Sequence, residues 1–270
     1  MIASLMIFLW FLVGNVNLIS ENETQSSSIL GMILLEDQHS FDVQGAMNEL
    51  KSKWKLDVGI VDGNSDALVV EIEDYKVAMA LMPVPIPGDE ISQTAGYNYF
   101  WENAEDETSQ HQAHIVLTVM NTGREPITEN MLFSKIASAV MNHSGSIGIY
   151  MGSRTLLLQK NFYDYFTTVM SDDNLPLYLW IYFGLRQDDS GQSVYTYGLN
   201  EFGFKEMEIV HSSKDMDHLG EMMYNMVHHV VLNNVTLNDG ETIGMSATQM
   251  LKITESKGVF LDGTTLKIEY

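Results

Sequence analysis

Val77-Ala78-Met79-Ala80-Leu81-Met82-Pro83-Val84-Pro85-Ile86-Pro87-Gly88 joins a continuous apolar run to three prolines at alternate positions. A short apolar run bounded in this way reads as a strand buried on both faces. Helix is the weaker reading, because the run is brief and prolines follow at once. Pro83, Pro85 and Pro87 have no amide hydrogen to give a sheet ladder, so the strand stops at Met82 and the chain leaves in an extended form.

Working outward from this centre, the upstream chain reads as a strand at Leu30–Leu35 and a helix at Asp42–Trp54. Val43, Met47, Leu50 and Trp54 give that helix its apolar stripe, and Asp42 or Ser40 is placed to cap it. Val58–Val61 and Ala67–Ile72 read as strands joined across Asp62-Gly63-Asn64, and Asp74-Tyr75 turns the chain into the Val77 strand. Downstream, Thr94–Ala104 reads as a helix carrying Tyr97, Phe100 and Trp101, and Ala113–Met120 as a buried strand. This order, β-α-β-β-β-α-β, is close to a ferredoxin-like sandwich with an extra strand.

Beyond it, Pro126–Asn142 reads as a helix with Pro126 in its first turn, followed by strands at Ser146–Met151 and Leu156–Leu158. Asn161–Met170 reads as an aromatic helix with Phe162, Tyr165, Phe166 and Val169 on one side. Tyr178–Leu185 and Val194–Leu199 flank a hairpin turn at Asp188-Asp189-Ser190-Gly191. Lys205–Val210 reads as a strand, Asp215–Leu232 as the longest helix and Leu266–Tyr270 as a last strand. The predicted class is α+β, with two α/β-sandwich lobes and mainly antiparallel sheets. The expected division is residues 1–28 as an apolar leader and polar linker, 29–123 as the first, ferredoxin-like lobe and 124–270 as the second.

The chain has 270 residues, 45% of them hydrophobic, enough for a full core. It has no cysteine, which excludes disulfides, thiolate zinc sites and a cysteine nucleophile. The formal net charge is −22, with 18 acidic against 4 basic residues in 1–120 and 18 against 10 in 121–270. Such a chain lacks the Lys/Arg clusters that nucleic acid requires and suits a basic protein partner. Ile2–Val13 is apolar apart from Ser4. It is short for a membrane span and matches the apolar core of a signal peptide, yet no Lys or Arg precedes it. Membrane contact is therefore expected only through residues 1–19, if that leader is real. The expected location is cytoplasmic, with export or anchoring by this segment as the alternative.

Signatures of common chemistry are missing. Gly-x-Ser-x-Gly and Gly-x-Gly-x-x-Gly do not occur, and Gly148–Ser153 lacks the spacing and lysine of a phosphate loop. His111 and His114 form His-x-x-His ahead of a strand, with Glu105, Asp106 and Glu107 upstream. They are the best metal candidates, but a site needs three or four converging ligands, so no metal or other cofactor is expected. His218 and His229 lie roughly 16 Å apart on their helix and cannot share one ion. No catalytic residue is assigned. Glu105, Asp106 and Glu107 are the candidate interaction surface.

Several motifs in order resemble a bacterial family of unknown function, family 4261. They are Leu34-Leu35-Glu36; Ala80-Leu81-Met82-Pro83 with Pro85 and Pro87; His111-x-Ala113-His114; and Trp180-x-Tyr182-Phe183-Gly184-Leu185. Tyr195-x-Tyr197-Gly198-Leu199 with Phe202-Gly203, Asp239-Gly240-Glu241-Thr242-Ile243-Gly244 and Asp262-Gly263-x-Thr265-Leu266-Lys267 complete the set. The resemblance spans about residues 29–270. It implies no assigned activity and no catalytic residues, and the apolar leader departs from its pattern. The tail motifs also look loosely similar to small bacterial domains suspected of immunity or regulatory roles.

The expected function is a non-enzymatic interaction domain, immunity- or antitoxin-like, that binds a basic protein. Two readings stand against it. One is a hydrolase with a cleft between the lobes, using His111, His114 and an acidic residue. The other is a tethered extracytoplasmic binding domain.

Overall fold

The run from Val77 lies within strand β4 (Tyr75–Met82), and its neighbour β5 (Ala113–Thr122) pairs with it from Lys76↔Met120 to Met82↔His114. The computed structural model describes residues 27–37, 41–246 and 249–270. Ile2–Val13 and Ser40 therefore lie outside the described residues. Ser27 and Ser28, expected in the polar linker, instead open β1 (Ser27–Leu35).

With β2 (Asp62–Gly63), β3 (Ala67–Ile72), β6 (Ser146–Met151) and β7 (Leu156–Gln159), these strands form one antiparallel sheet ordered β2-β3-β4-β5-β1-β6-β7. A ferredoxin-like order would pair β4 with β1; here β5 sits between them. Nor does Val58–Val61 form a strand: Val58 makes a single bridge to Ile72. The following turn is made later than expected, by the Asn64 side chain, which accepts from the amides of Asp66 and Ala67.

β4 is buried on one face only. Tyr75, Val77 and Met79 enter the core, while Ala78 and Ala80 are half-exposed and Met82 is exposed. The cause is a roof over half of the sheet's second face. Helices α2 (Glu90–Ala95) and α3 (Ala104–Thr108), with Trp101 between them, cover Leu34, Tyr150 and Leu157. Among the described residues Leu30, Ala67, Val69 and Ala78 lie outside that roof.

The other face is covered by α4 (Pro126–Asn142), which touches β1, β5 and β6 and is flanked by α1 (Val43–Ser52) and α5 (Lys160–Val169). Asp42 caps α1 by accepting from the Gly45 amide at 2.9 Å. Pro126 starts α4, whose first turn carries the buried Glu129. That carboxylate accepts from the amides of Gly123, Arg124 and Glu125, and from the Tyr75 hydroxyl. Main-chain donors before the helix thus find an acceptor within the core.

The second sheet contains β8 (Tyr182–Asp188), β9 (Gly191–Tyr197), β10 (Met207–Ser212), β11 (Thr242–Ser246), β12 (Gln249–Lys257) and β13 (Thr264–Ile268). Its order is β11-β12-β13-β10-β9-β8, antiparallel except for the parallel pair β10–β13. β11 and β12 are strands beyond those expected. Helix α6 (Met216–Asn233), capped by Asp215, lies on β8 and β9. The chain is α+β, with two mainly antiparallel sheets.

The expected division at residue 123 does not separate the sheets. β6 and β7 lie beyond it and complete the first sheet. One continuous apolar core, including Ile33, Ile136, Trp180, Met226 and Ile268, runs through both sheets. No helix among the described residues is long and apolar enough to cross a membrane.

Candidate interaction surface

The two histidines of His-x-x-His do their work on the proline segment. Prolines at 83, 85 and 87 leave Val84 and Ile86 as the residues between them with amides. His111 Nε2 accepts from the Ile86 amide at 2.8 Å, and its Nδ1 lies 2.6 Å from the Thr108 carbonyl oxygen. This pairing requires the neutral ring with its proton on Nδ1. His114 Nδ1 donates to the Val84 carbonyl at 2.9 Å. Both rings are buried, and burial, with a smaller contribution from His111, holds His114 below its ordinary pKa. The proline segment is thereby held beside β5, continuing the β4–β5 pairing past Met82. Among the described residues no cluster of three or more His, Asp or Glu is arranged to hold a metal.

The acidic trio lies on α3. Glu105 accepts from Ser92 Oγ at 2.9 Å, Glu107 from Trp101 Nε1 at 2.9 Å, and Asp106 is exposed. All three stand beside a surface that the sequence reading assigned to helix.

That surface is aromatic. The expected helix at 94–104 is broken because Gly96 ends α2 and the Asn98 side chain accepts from the amides of Phe100 and Trp101. This local bond competes with helix and forms a turn. Trp101 drops into the roof, while Tyr97, Tyr99 and Phe100 are turned outward with 49%, 42% and 41% exposure. Phe100 meets Phe162 of α5 at 4.7 Å between ring centroids and Tyr178 at 4.9 Å. Phe162 continues to Phe166, and Phe166 to Tyr165, which is 62% exposed. On α5, Tyr163 and Thr167 take the buried face, leaving Phe162, Tyr165, Phe166 and Val169 on the outer one. The rings form one contiguous patch at the seam where β7 and β8, outer strands of the two sheets, come near each other.

Two hydrogen bonds clip this turn to both sheets. Asn98 Nδ2 donates to the Leu157 carbonyl on β7, and the Tyr99 hydroxyl donates to the Phe183 carbonyl on β8 at 2.9 Å. Burial raises the Tyr99 phenol and pushes Tyr178 and Tyr182 up to about 12, with neighbouring tyrosines adding to the shift. All three therefore remain protonated at neutral pH. The crevice among Asn98, Tyr99, Leu157, Tyr178 and Phe183 has a volume of about 20 Å³. That is room for about one water.

In the chain, exposed Glu102, Glu105, Asp106 and Glu107 follow the turn that carries the rings, with Glu107 bonded to Trp101, and exposed Asp172 and Asp173 follow α5. Lys160 is paired with Asp164, and the Arg186 guanidinium lies over the Tyr97 ring at 5.3 Å.

Motif residues of the second sheet have internal tasks. Glu206 accepts from Thr196 Oγ1 at 2.6 Å and from the Gly198 amide at 2.8 Å. Burial nevertheless keeps its pKa raised. Glu208 is fully buried; burial acts to raise its pKa, but Lys267 at 2.5 Å and the amides of Val259 and Phe260 outweigh that and lower it. Gly184 lies under the Tyr195 ring, where a Cβ would stand 2.1 Å from Cζ.

Residues 195–269 match the model of a family described as Domain of unknown function (DUF4261). The matched segment runs from β9 to β13 and agrees with the resemblance read from the motifs, over a shorter span. No curated protein and no solved structure matches the chain.

Proposed function

We propose that this chain is a non-enzymatic interaction module that takes a basic protein partner on the aromatic seam and its acidic margin, in an immunity- or antitoxin-like role. The observation that carries the reading is the contiguous exposure of Tyr97, Tyr99, Phe100 and Tyr165. An exposed apolar patch of this kind marks an interaction site, and aromatic rings dominate the binding energy of interfaces. A fully buried aromatic ring covers about 150–250 Å², and these rings, 41–62% exposed, still have roughly half of that to give up to a partner. The carboxylates beside it speed the approach of a positively charged protein and select against acidic ones. Glu105, Asp106 and Glu107 belong to that margin.

The test is retention of a partner from the native host on the immobilised chain, compared with the Phe100→Ser/Tyr165→Ser variant. A stoichiometric basic protein held by the first, released by salt and lost from the second, supports the reading. Equal retention by both removes the aromatic seam from it.

A further inference from the structure

We infer that the partner enters the seam as an extended basic segment that pairs with the outer edge of β8, adding a seventh strand to the second sheet. This rests on the proposed interaction surface and assigns its mode of binding.

The argument begins with the four outer strands of the two sheets. β2 has 2 residues, β7 has 4 with Asn98 bonded to its outer carbonyl, and β11 has 5 with a register shift. Short, covered or irregular edges resist further pairing. β8 has 7 residues, contains no proline, and pairs with β9 without a shift from Tyr182↔Tyr197 to Asp188↔Gly191. Its outer carbonyl at Phe183 is taken by the Tyr99 hydroxyl, as that of Leu157 on β7 is by Asn98, but β8 is longer, and its stretch Leu185–Asp188 is left regular and, among the described residues, uncapped. Because the Phe183 carbonyl points outward to Tyr99, strand alternation puts the main-chain groups of Leu185 and Gln187 on the same outer side. Among the described residues no strand covers them. Leu185 is half-buried and Gln187 exposed, so the edge is open at this end.

The occupant follows from what borders the edge. Tyr97 and Tyr182 stand at one end, joined by the bond from the Tyr182 hydroxyl to the Tyr97 carbonyl. Asp188 and Asp189 stand at the other, and Glu221 of α6 lies beside Tyr178. Arg186 already rests on Tyr97, so this face accommodates a guanidinium. A segment that carries both apolar and basic residues matches the rings at one end of the edge and the carboxylates at the other. Main-chain pairing supplies the affinity of such a complex and the alternate side chains its specificity.

The experiment uses the full chain and a fluorescent twelve-residue peptide of alternating lysine and valine. It compares wild type with Gln187→Pro, Gln187→Ala and Phe100→Ser. Proline at 187 removes an outward amide and no bond to β9, a position edge strands tolerate. Expected are about tenfold weaker binding for Gln187→Pro, the loss of one main-chain hydrogen bond, and little change for Gln187→Ala. In the wild type the Leu185 and Gln187 amides should become protected from exchange on binding, a readout that does not need the proline variant to fold. Unchanged affinity in Gln187→Pro with loss in Phe100→Ser overturns strand pairing and leaves the aromatic surface standing. Unchanged affinity in both overturns the two together. A peptide that does not bind, or binds without protecting those amides, overturns strand pairing.

Discussion

His111 accepts the Ile86 amide hydrogen on Nε2 at 2.8 Å, although twenty-five positions separate the two residues. With Nδ1 facing the Thr108 carbonyl, the ring has one nitrogen left to accept, and it accepts only while neutral. In the folded chain burial holds His114 below its ordinary 6.5. The unfolded chain then takes up the proton first, so this contribution to stability is full above about pH 6.5 and is lost as pH falls through the folded value. His228, also lowered by burial, acts in the same direction. The urea midpoint should hold steady from pH 8 to 7 and fall below about pH 6.5. His114→Gln should shrink the slope; an unchanged slope would show that the buried His114 ring is not a group that sets it.

Lys267 is the counter-charge of the fully buried Glu208. Lys267→Met leaves that carboxylate unpaired and should cost about 3–5 kcal/mol in denaturant unfolding. Adding Glu208→Gln removes the stranded charge, so the double variant should recover part of the loss. A double variant no more stable than the single one would show that the pair acts through packing alone.

Gly184→Ala places a methyl group against the Tyr195 ring. The expected loss is about 1–3 kcal/mol. Tyr195→Ala removes the obstacle, so the combined loss should be smaller than the sum of the two single losses. Strict additivity would mean that the ring moves aside without strain.

Tyr165→Ser should change stability by less than about 1 kcal/mol, since the ring is largely in solvent. Its cost should appear in partner affinity, at least about tenfold if the ring is a binding anchor. Calorimetry with the purified partner separates the two quantities.

Local chemistry in the sequence made much of the fold legible. Asp42, one of two cap candidates, caps α1, Pro126 begins α4, the long helix expected from Asp215 forms, and Asp188–Gly191 turns β8 into β9. What depended on distant partners was not legible. No spacing shows that His111 and His114 reach back to Ile86 and Val84, and none shows that β5 lies between β4 and β1. β11 and β12 were missed, β12 because Lys252, Glu255 and Lys257 interrupt its apolar positions. Tyr97, Phe100 and Trp101 were read on a helix, although Gly96 and Asn98 carried the contrary signal of a helix stop and a side-chain turn.

The place of β1 has a consequence for how the molecule assembles. It is the earliest described strand, yet it lies inside its sheet, and its two neighbours are β5 and β6. A nascent chain that has reached only the proline segment holds β1 with both edges unsatisfied. The sheet's middle can form only by closing long loops, which slows folding and keeps a sticky strand in reach of other chains. Substitutions that delay β5 should therefore lower the yield of native protein more than they lower its stability once made.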